Sequence, residues 1–277
     1  MNEKILRVNG ADLCVETFGN GPAVLLIMGH SASMLWWDRE LCERLAAAGR
    51  FVIRYDNRDT GRSTQYPLAK PGYTMVELVD DAAGILDALG IDRAHVVGQS
   101  MGGAIAQQLA LRHPDQLASL TLVATTAGGD DLPKPTAALA EHFGSATEPD
   151  WADRSAVIDY QVANFRAYAG SLPFDEAGIR ATAGQDVDRT ADIQVALTNH
   201  SHIAITGEPW RPRLGEITAP TLVLHGTEDP LFPLPHGEML AREIPNARLV
   251  ALPGAGHELP RAVWDLALAE LVRHTQR

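Results

Sequence analysis

Cysteine is scarce in this chain. Cys14 and Cys42 are the two thiols in 277 residues. Two thiols cannot make a disulfide framework and are too few for a structural zinc site. We therefore expect both to be free, in a reducing and so cytoplasmic setting. Long apolar runs are lacking too. The longest, Ala23 to Met28, is far short of the ~20 residues that cross a bilayer. The opening M-N-E-K-I-L-R-V-N-G has no apolar core of a secretory signal. Positive charge is in deficit, and the formal net charge is −12. An acidic surface repels phosphate backbones and anionic lipid, which argues against nucleic-acid and membrane partners. Repeats and low-complexity tracts are absent. Apolar residues make up 45% of the chain, enough to bury a sizeable core and to exclude disorder as the dominant state.

The apolar residues are arranged in two rhythms. Ile5–Val8 and Leu13–Phe18 flank Asn9-Gly10, a favoured hairpin turn. Short continuous apolar runs follow at Ala23–Met28, Phe51–Tyr55, Ala94–Val97, Leu117–Val123, Thr221–His225 and Arg248–Leu252. Continuous rather than alternating runs fit strands buried on both faces. Helical patterns lie between them at Val76–Leu89, Met101–Arg112, Pro233–Ile244 and Arg261–His274. Val79, Ala82, Ala83 and Leu86 show the i, i+3, i+4, i+7 spacing. The expected fold is α/β, a mostly parallel eight-stranded sheet flanked by helices. The rhythm breaks between Gly128 and Gly215, a stretch with six prolines and no convincing strand. It reads as several short helices inserted after the sixth strand. We expect a core of residues 1–127 and 216–277 and a helical cap of 128–215 over the carboxyl edge of the sheet, where open α/β sheets bind ligands. An independent helical domain is the alternative.

Gly98-Gln99-Ser100-Met101-Gly102 follows the strand A-H-V-V and precedes the helix A-I-A-Q-Q-L-A. Strand, G-x-S-x-G, helix is the pattern of a nucleophile elbow. A serine on so sharp a turn needs small neighbours, and the helix end beneath it favours developing negative charge. A serine nucleophile needs a base, and the base an orienting acid, in the chain order Ser, acid, His. Among ten histidines, His257 lies in the glycine-rich loop P-G-A-G-H-E-L-P after the last strand. His225 ends a strand and reads as packed, or as support for the acid. His95 and His113 read as structural. His142, His200 and His202 fall in the cap, lining a pocket or facing solvent, and His236 and His274 read as solvated. Asp229, in H-G-T-E-D-P-L-F-P, is the expected acid; Glu228 competes locally, and Asp130 and Asp131 offer a position after the earlier strand. Two backbone N–H groups should form an oxyanion hole: Met101, after the serine, and His30, in the loop after Ala23–Met28. The His30 imidazole is then a bystander or a pocket wall. Trp36, Trp37, Tyr160 and Phe165 are candidate pocket residues, with plain packing as the competing role.

G-Q-S-M-G, H-G-T-E-D-P and P-G-A-G-H together resemble the α/β-hydrolase superfamily across the entire chain. Tyr55–Ser63, Y-D-N-R-D-T-G-R-S, is similar to that family's D-x-R-G-x-G-x-S loop, with Asp59 in place of the usual glycine. V-I-R-Y-D-N-R-D-T-G-R-S-T, D-R-A-H-V-V-G and the tail P-H-G…P-G-A-G-H-E-L-P resemble methylesterases of aromatic polyketide glycosides within that superfamily. His30-Ser31 and most of the cap depart from those enzymes. The resemblance implies a Ser100–His257–Asp229 triad and a small-molecule carboxylic ester as substrate, including methyl esters of bulky aromatic or polyketide acids. It implies neither cofactor nor metal. A C–C bond hydrolase or cofactor-free perhydrolase on this fold, or a non-catalytic ligand receptor, are the alternatives.

Overall fold

A computed structural model describes residues 3–204, 206 and 209–276. The chain opens with the hairpin β1 (Glu3–Val8) and β2 (Ala11–Phe18), turned by Asn9 and Gly10, both at positive φ as the two-residue turn requires. There follow β3 (Ala23–Ile27), α1 (Arg39–Ala47), β4 (Phe51–Tyr55), α2 (Met75–Ala88), β5 (Ala94–Gln99), α3 (Met101–Arg112) and β6 (Leu117–Val123). Four helices come next: α4 (Ala137–Ser145), α5 (Arg154–Tyr168), α6 (Glu176–Arg189) and α7 (Ile193–Thr198). The sheet resumes with β7 (Thr221–Gly226), α8 (Pro235–Glu243), β8 (Ala247–Leu252) and α9 (Trp264–His274). All eight expected strands form, within a few residues of their sequence bounds. The helix α1 was not expected.

The strand order is β1-β2-β4-β3-β5-β6-β7-β8; β2 runs antiparallel to both its neighbours and the other pairs are parallel. Side chains alternate across the sheet. Leu25 and Ile27 of β3 join a core layer with Leu78 and Leu86 of α2 and Ile105 of α3. Val24 and Leu26 face the other way, into a layer with Leu41 and Leu45 of α1 and Leu268 of α9. This two-sided burial is why the strands read as unbroken apolar runs. Capping fixes the helix starts: Thr74 and Glu77 form a capping box at α2.

From β3 the chain first builds toward β4 and then crosses to β5 on the other side. The order therefore reverses at β3, and a crevice opens beyond the carboxyl ends of β3 and β5. Ser100 follows β5 directly, and Gly29–Ser31 follows β3. The inserted segment leaves the sheet after Val123 and returns at Thr221, slightly wider than the expected 128–215, and its described residues contain no strand.

Candidate active site

Ser100 sits at φ 53°, ψ −119°, a left-handed conformation that β-carbon-bearing residues avoid. The glycines around it answer a lack of space. A Cβ on Gly98 would lie 2.2 Å from the Gly102 carbonyl oxygen, and one on Gly102 would lie 2.2 Å from the Ile27 carbonyl oxygen. Ser100 occupies the N-cap of α3, yet its hydroxyl caps no helical amide. It lies instead 2.9 Å from His257 Nε2. The turn is pinned from behind, where the Thr125 hydroxyl donates to the Ser100 carbonyl at 2.6 Å.

His257 Nδ1–H donates to Asp229 Oδ2 at 2.9 Å, which leaves Nε2 free to accept the serine proton. Asp229 Oδ1 accepts the amides of Leu231 and Phe232, both at 2.9 Å. Burial disfavours the Asp229 charge, but His257, its hydrogen bond and the Phe232 amide outweigh that and hold the carboxyl below its ordinary pKa. His225 Nε2–H donates to the Phe232 carbonyl at 2.7 Å and stands 3.6 Å from Asp229, bracing the acid's loop. Burial keeps His225 neutral by lowering its pKa. The other candidate acids lie elsewhere. Glu228 accepts from the Ser171 hydroxyl, Asp130 is fully exposed beside Lys134, and Asp131 pairs with Arg211.

The loop carrying His257 rests on the end of α5. The His257 amide donates to the Tyr168 carbonyl at 2.9 Å, and a Cβ on Gly256 would meet that same oxygen at 2.1 Å. The rings of Tyr168 and Phe232 flank the imidazole at 5.4 and 5.3 Å. Met101 is the first residue of α3, so its N–H has no intrahelical acceptor. Gly29 lies against Ser100, and a Cβ there would come within 3.1 Å of the Ser100 Cβ. The His30 ring does not join Ser100; its Nε2 meets the Ser201 hydroxyl at 3.2 Å.

A cavity of about 190 Å³ adjoins these groups, walled in part by Met28, Trp36, Trp37, Phe165 and Phe174. Gln99 and Glu258, chain neighbours of Ser100 and His257, complete the near wall, whereas Ser100 and His257 themselves do not line it. Trp36 stacks on Phe165 with centroids 3.9 Å apart and donates to Asp186 at 3.2 Å. Three of the four expected pocket aromatics thus line this cavity. Tyr160 does not: five residues before Phe165, it projects from another face of α5 and meets Trp151 edge-on. Sequence reading missed Met28, Gln99 and Glu258, whose only signal was adjacency to the expected site residues.

Three histidines also depart from expectation. His236 is buried, with Nδ1 2.8 Å from the Thr126 hydroxyl and Nε2 2.9 Å from the Pro133 carbonyl. His274 is buried as well, and its Nε2 meets the Leu120 carbonyl at 3.1 Å. Both rings lie on the inner face of their helices, where the sequence reads them as solvated. His200 is 2% exposed, lodged between the inserted segment and the core.

Known proteins share this organisation. Rhodomycin D methylesterase DauP of Streptomyces sp. strain C5 is 35% identical over 274 residues, covering 91% of this chain and 90% of its own. The 2-hydroxy-6-oxo-6-phenylhexa-2,4-dienoate hydrolase of Burkholderia cepacia is 33% identical, covering 90% and 85%. Among solved structures, the enol-lactonase of Burkholderia xenovorans LB400 superposes with a TM-score of 0.78 at 26% identity, over 99% of this chain and 100% of the other. The sequence pattern of the alpha/beta hydrolase fold matches residues 22–169 and 197–260, passing over all of α6 and the first part of α7. A sheet of this order, a strained serine after β5 and these relationships lead to one assignment: the chain belongs to the α/β-hydrolase fold family.

Proposed function

We propose that the protein is a serine hydrolase of carboxylic esters, with Ser100, His257 and Asp229 as its triad and the inserted helices as a cap over the site. The observation that carries this reading is the unbroken chain Ser100 Oγ, His257 Nε2, His257 Nδ1, Asp229 Oδ2, with 2.9 Å at each hydrogen bond. Ser100 Oγ attacks the ester carbonyl while His257 Nε2 takes its proton. The oxyanion is held by the Met101 and His30 N–H groups. His257 then gives its proton to the departing alcohol, and the acyl-serine forms. Water, deprotonated by the same imidazole, releases the acid and restores Ser100. Asp229 keeps the imidazole in the Nδ1–H tautomer and stabilises its charged form.

The 35% identity with a methylesterase supports a small alcohol portion, methanol foremost. The aromatic cavity supports an apolar acid portion. At about 190 Å³ it is smaller than the ~300–1,000 Å³ of sites for drug-sized ligands, so it would take one ring or a short chain of that acid. The rest of a multi-ring acid would lie outside it. The test compares kcat/KM for methyl esters of aromatic acids of graded ring number with short p-nitrophenyl esters, corrected for leaving-group reactivity. Methyl esters of ring acids should win; a wide margin for the short acyl esters would make this a small-ester hydrolase instead.

The 33% identity with a dienoate hydrolase favours C–C bond cleavage as the second reading. Turnover of a vinylogous diketone acid with no turnover of methyl esters would select it. Labelling by a fluorophosphonate, lost in Ser100→Ala, separates either enzyme from a non-catalytic receptor.

A further inference from the structure

We infer that His200, a residue of the cap, is a positioning residue for the oxyanion loop: its neutral Nε2–H tautomer holds the Ser31 amide and so fixes Gly29–Ser31 against the nucleophile. This rests on the serine-hydrolase reading above. The tautomer follows from the partners alone. The Ser31 N–H lies 2.8 Å from His200 Nδ1, and an amide can only donate, so Nδ1 accepts. The Arg58 carbonyl lies 2.8 Å from His200 Nε2, and a carbonyl can only accept, so Nε2 carries the proton. A second proton on Nδ1 would face the Ser31 N–H donor to donor. Burial acts in the same direction and lowers the His200 pKa to about 4.

The loop needs such an anchor. Ser31 stands at φ 55°, an unfavourable region for a residue with a β-carbon, and it persists where surroundings over-determine it. Two bonds do so, and both come from the inserted segment: His200 takes the amide, and the Ser31 hydroxyl donates to the Leu197 carbonyl at 3.3 Å. The far side of the imidazole is equally fixed. Arg58 lies in the loop after β4, and its guanidinium is clamped by the buried Asp81 at 2.6 and 2.8 Å. The His30 ring stands edge-on to His200 at 5.6 Å. His200 therefore ties the loop after β3, the loop after β4 and the inserted segment at one point. The loop's other end touches the nucleophile, where Gly29 leaves no slack beside Ser100. A donor displaced by a fraction of an ångström loses much of its grip on the transition-state oxyanion while ground-state binding is little changed.

Two substitutions separate positioning from filling space. His200→Asn keeps an acceptor near the place of Nδ1, and His200→Gln keeps a donor near the place of Nε2. We expect His200→Gln to lose about 10- to 100-fold in kcat with KM within about twofold, and His200→Asn to stay within about threefold in both. Affinity for an aryl boronic acid, which mimics the tetrahedral intermediate, should fall in step with kcat/KM in His200→Gln alone. An equal loss in both variants, or a loss in KM rather than kcat, overturns the proposal. A measurement on the unaltered protein guards against misfolded variants. In protein labelled with ¹⁵N-histidine, His200 should show a bare Nδ1 and a protonated Nε2 at pH 7, and the opposite tautomer overturns the proposal. Ser100→Ala distinguishes the underlying reading: full activity in that variant removes the serine mechanism, whatever His200 does.

Discussion

Ser100 holds a backbone conformation that costs about 1–3 kcal/mol and forgoes the capping bond that a serine at a helix start normally makes. Its hydroxyl carries little packing load, so Ser100→Ala should leave the thermal midpoint within a few degrees. Ester turnover should fall by at least about 10⁴-fold, and residual activity above a few per cent in clean protein would contradict the role. Asp229→Asn tests the tautomer. An asparagine amide turned toward His257 favours the wrong ring proton, and kcat should drop by about 10³- to 10⁴-fold, while Asp131→Asn stays near normal. Glu258 offers a test in pH. Burial pushes its carboxyl up to about 7, the His257 charge opposes this, Asp229 adds to it, and one carboxyl oxygen has no hydrogen-bond partner. The unfolded chain holds its proton less tightly, so the native state loses stability as pH rises from about 4.5 through 7. Glu258→Gln removes that loss. Its gain in stability over the parent should be about 1–2 kcal/mol larger at pH 8 than at pH 5, by denaturant unfolding at each pH. An equal difference at both would mean that Glu258 titrates normally.

At the scale of elements, the turn at Ser100 is tight because β3, β5 and α3 approach closer than any side chain permits. Gly102→Ala should therefore cost more than about 2 kcal/mol in unfolding free energy and most of the activity, since the Ile27 backbone in its way cannot rotate aside. Unchanged stability would show that α3 can slide outward. These contacts explain what could be read from sequence. Strands buried on both faces leave continuous apolar runs, and G-Q-S-M-G, H-G-T-E-D-P and P-G-A-G-H each sit where a strand ends, so the fold and the meeting of Ser100, His257 and Asp229 were legible. Less could be read where tertiary contact overrides local pattern. The polar faces of the helices bearing His236 and His274 gave no sign that both rings turn inward to buried oxygens. Tyr160 and Phe165 looked alike until the turn of α5 separated them. Asp59 stands where the family has glycine, and it keeps the left-handed conformation, φ 67°. Its carboxylate accepts the Tyr66 amide at 2.6 Å and the Tyr73 hydroxyl at 2.7 Å, bonds no pattern of hydrophobicity announces.

For the molecule as a whole, the inserted helices are bound to the core by buried polar contacts as well as by apolar packing. Arg189 of α6 reaches Asp56, after β4, at 2.6 Å and Glu3 of β1 at 2.8 Å. Asp56 is itself wholly buried and takes the Met34 amide at 2.8 Å. Arg189→Met strands that carboxylate without a counter-ion and should cost about 3–5 kcal/mol. Adding Asp56→Asn should restore a good part of it, and a double variant no better than the single would show that the pair is not coupled. Arg189 is also why segments far apart in sequence meet: neither its sequence neighbours nor those of Asp56 hint at the other. The stretch passed over by the family pattern holds all of α6 and the start of α7, the natural place to exchange helices between relatives. The junction behind it is less forgiving. Because the His257 amide hangs from the Tyr168 carbonyl, with Gly170 and Gly256 packed backbone to backbone, residues 168–170 belong with the His257 loop in every sense but chain order. A chimaera that grafts in the foreign insertion whole would inherit someone else's support for the His257 loop; under the proposed mechanism, one that joins after 170 would keep its general base where it was and inherit only a new roof.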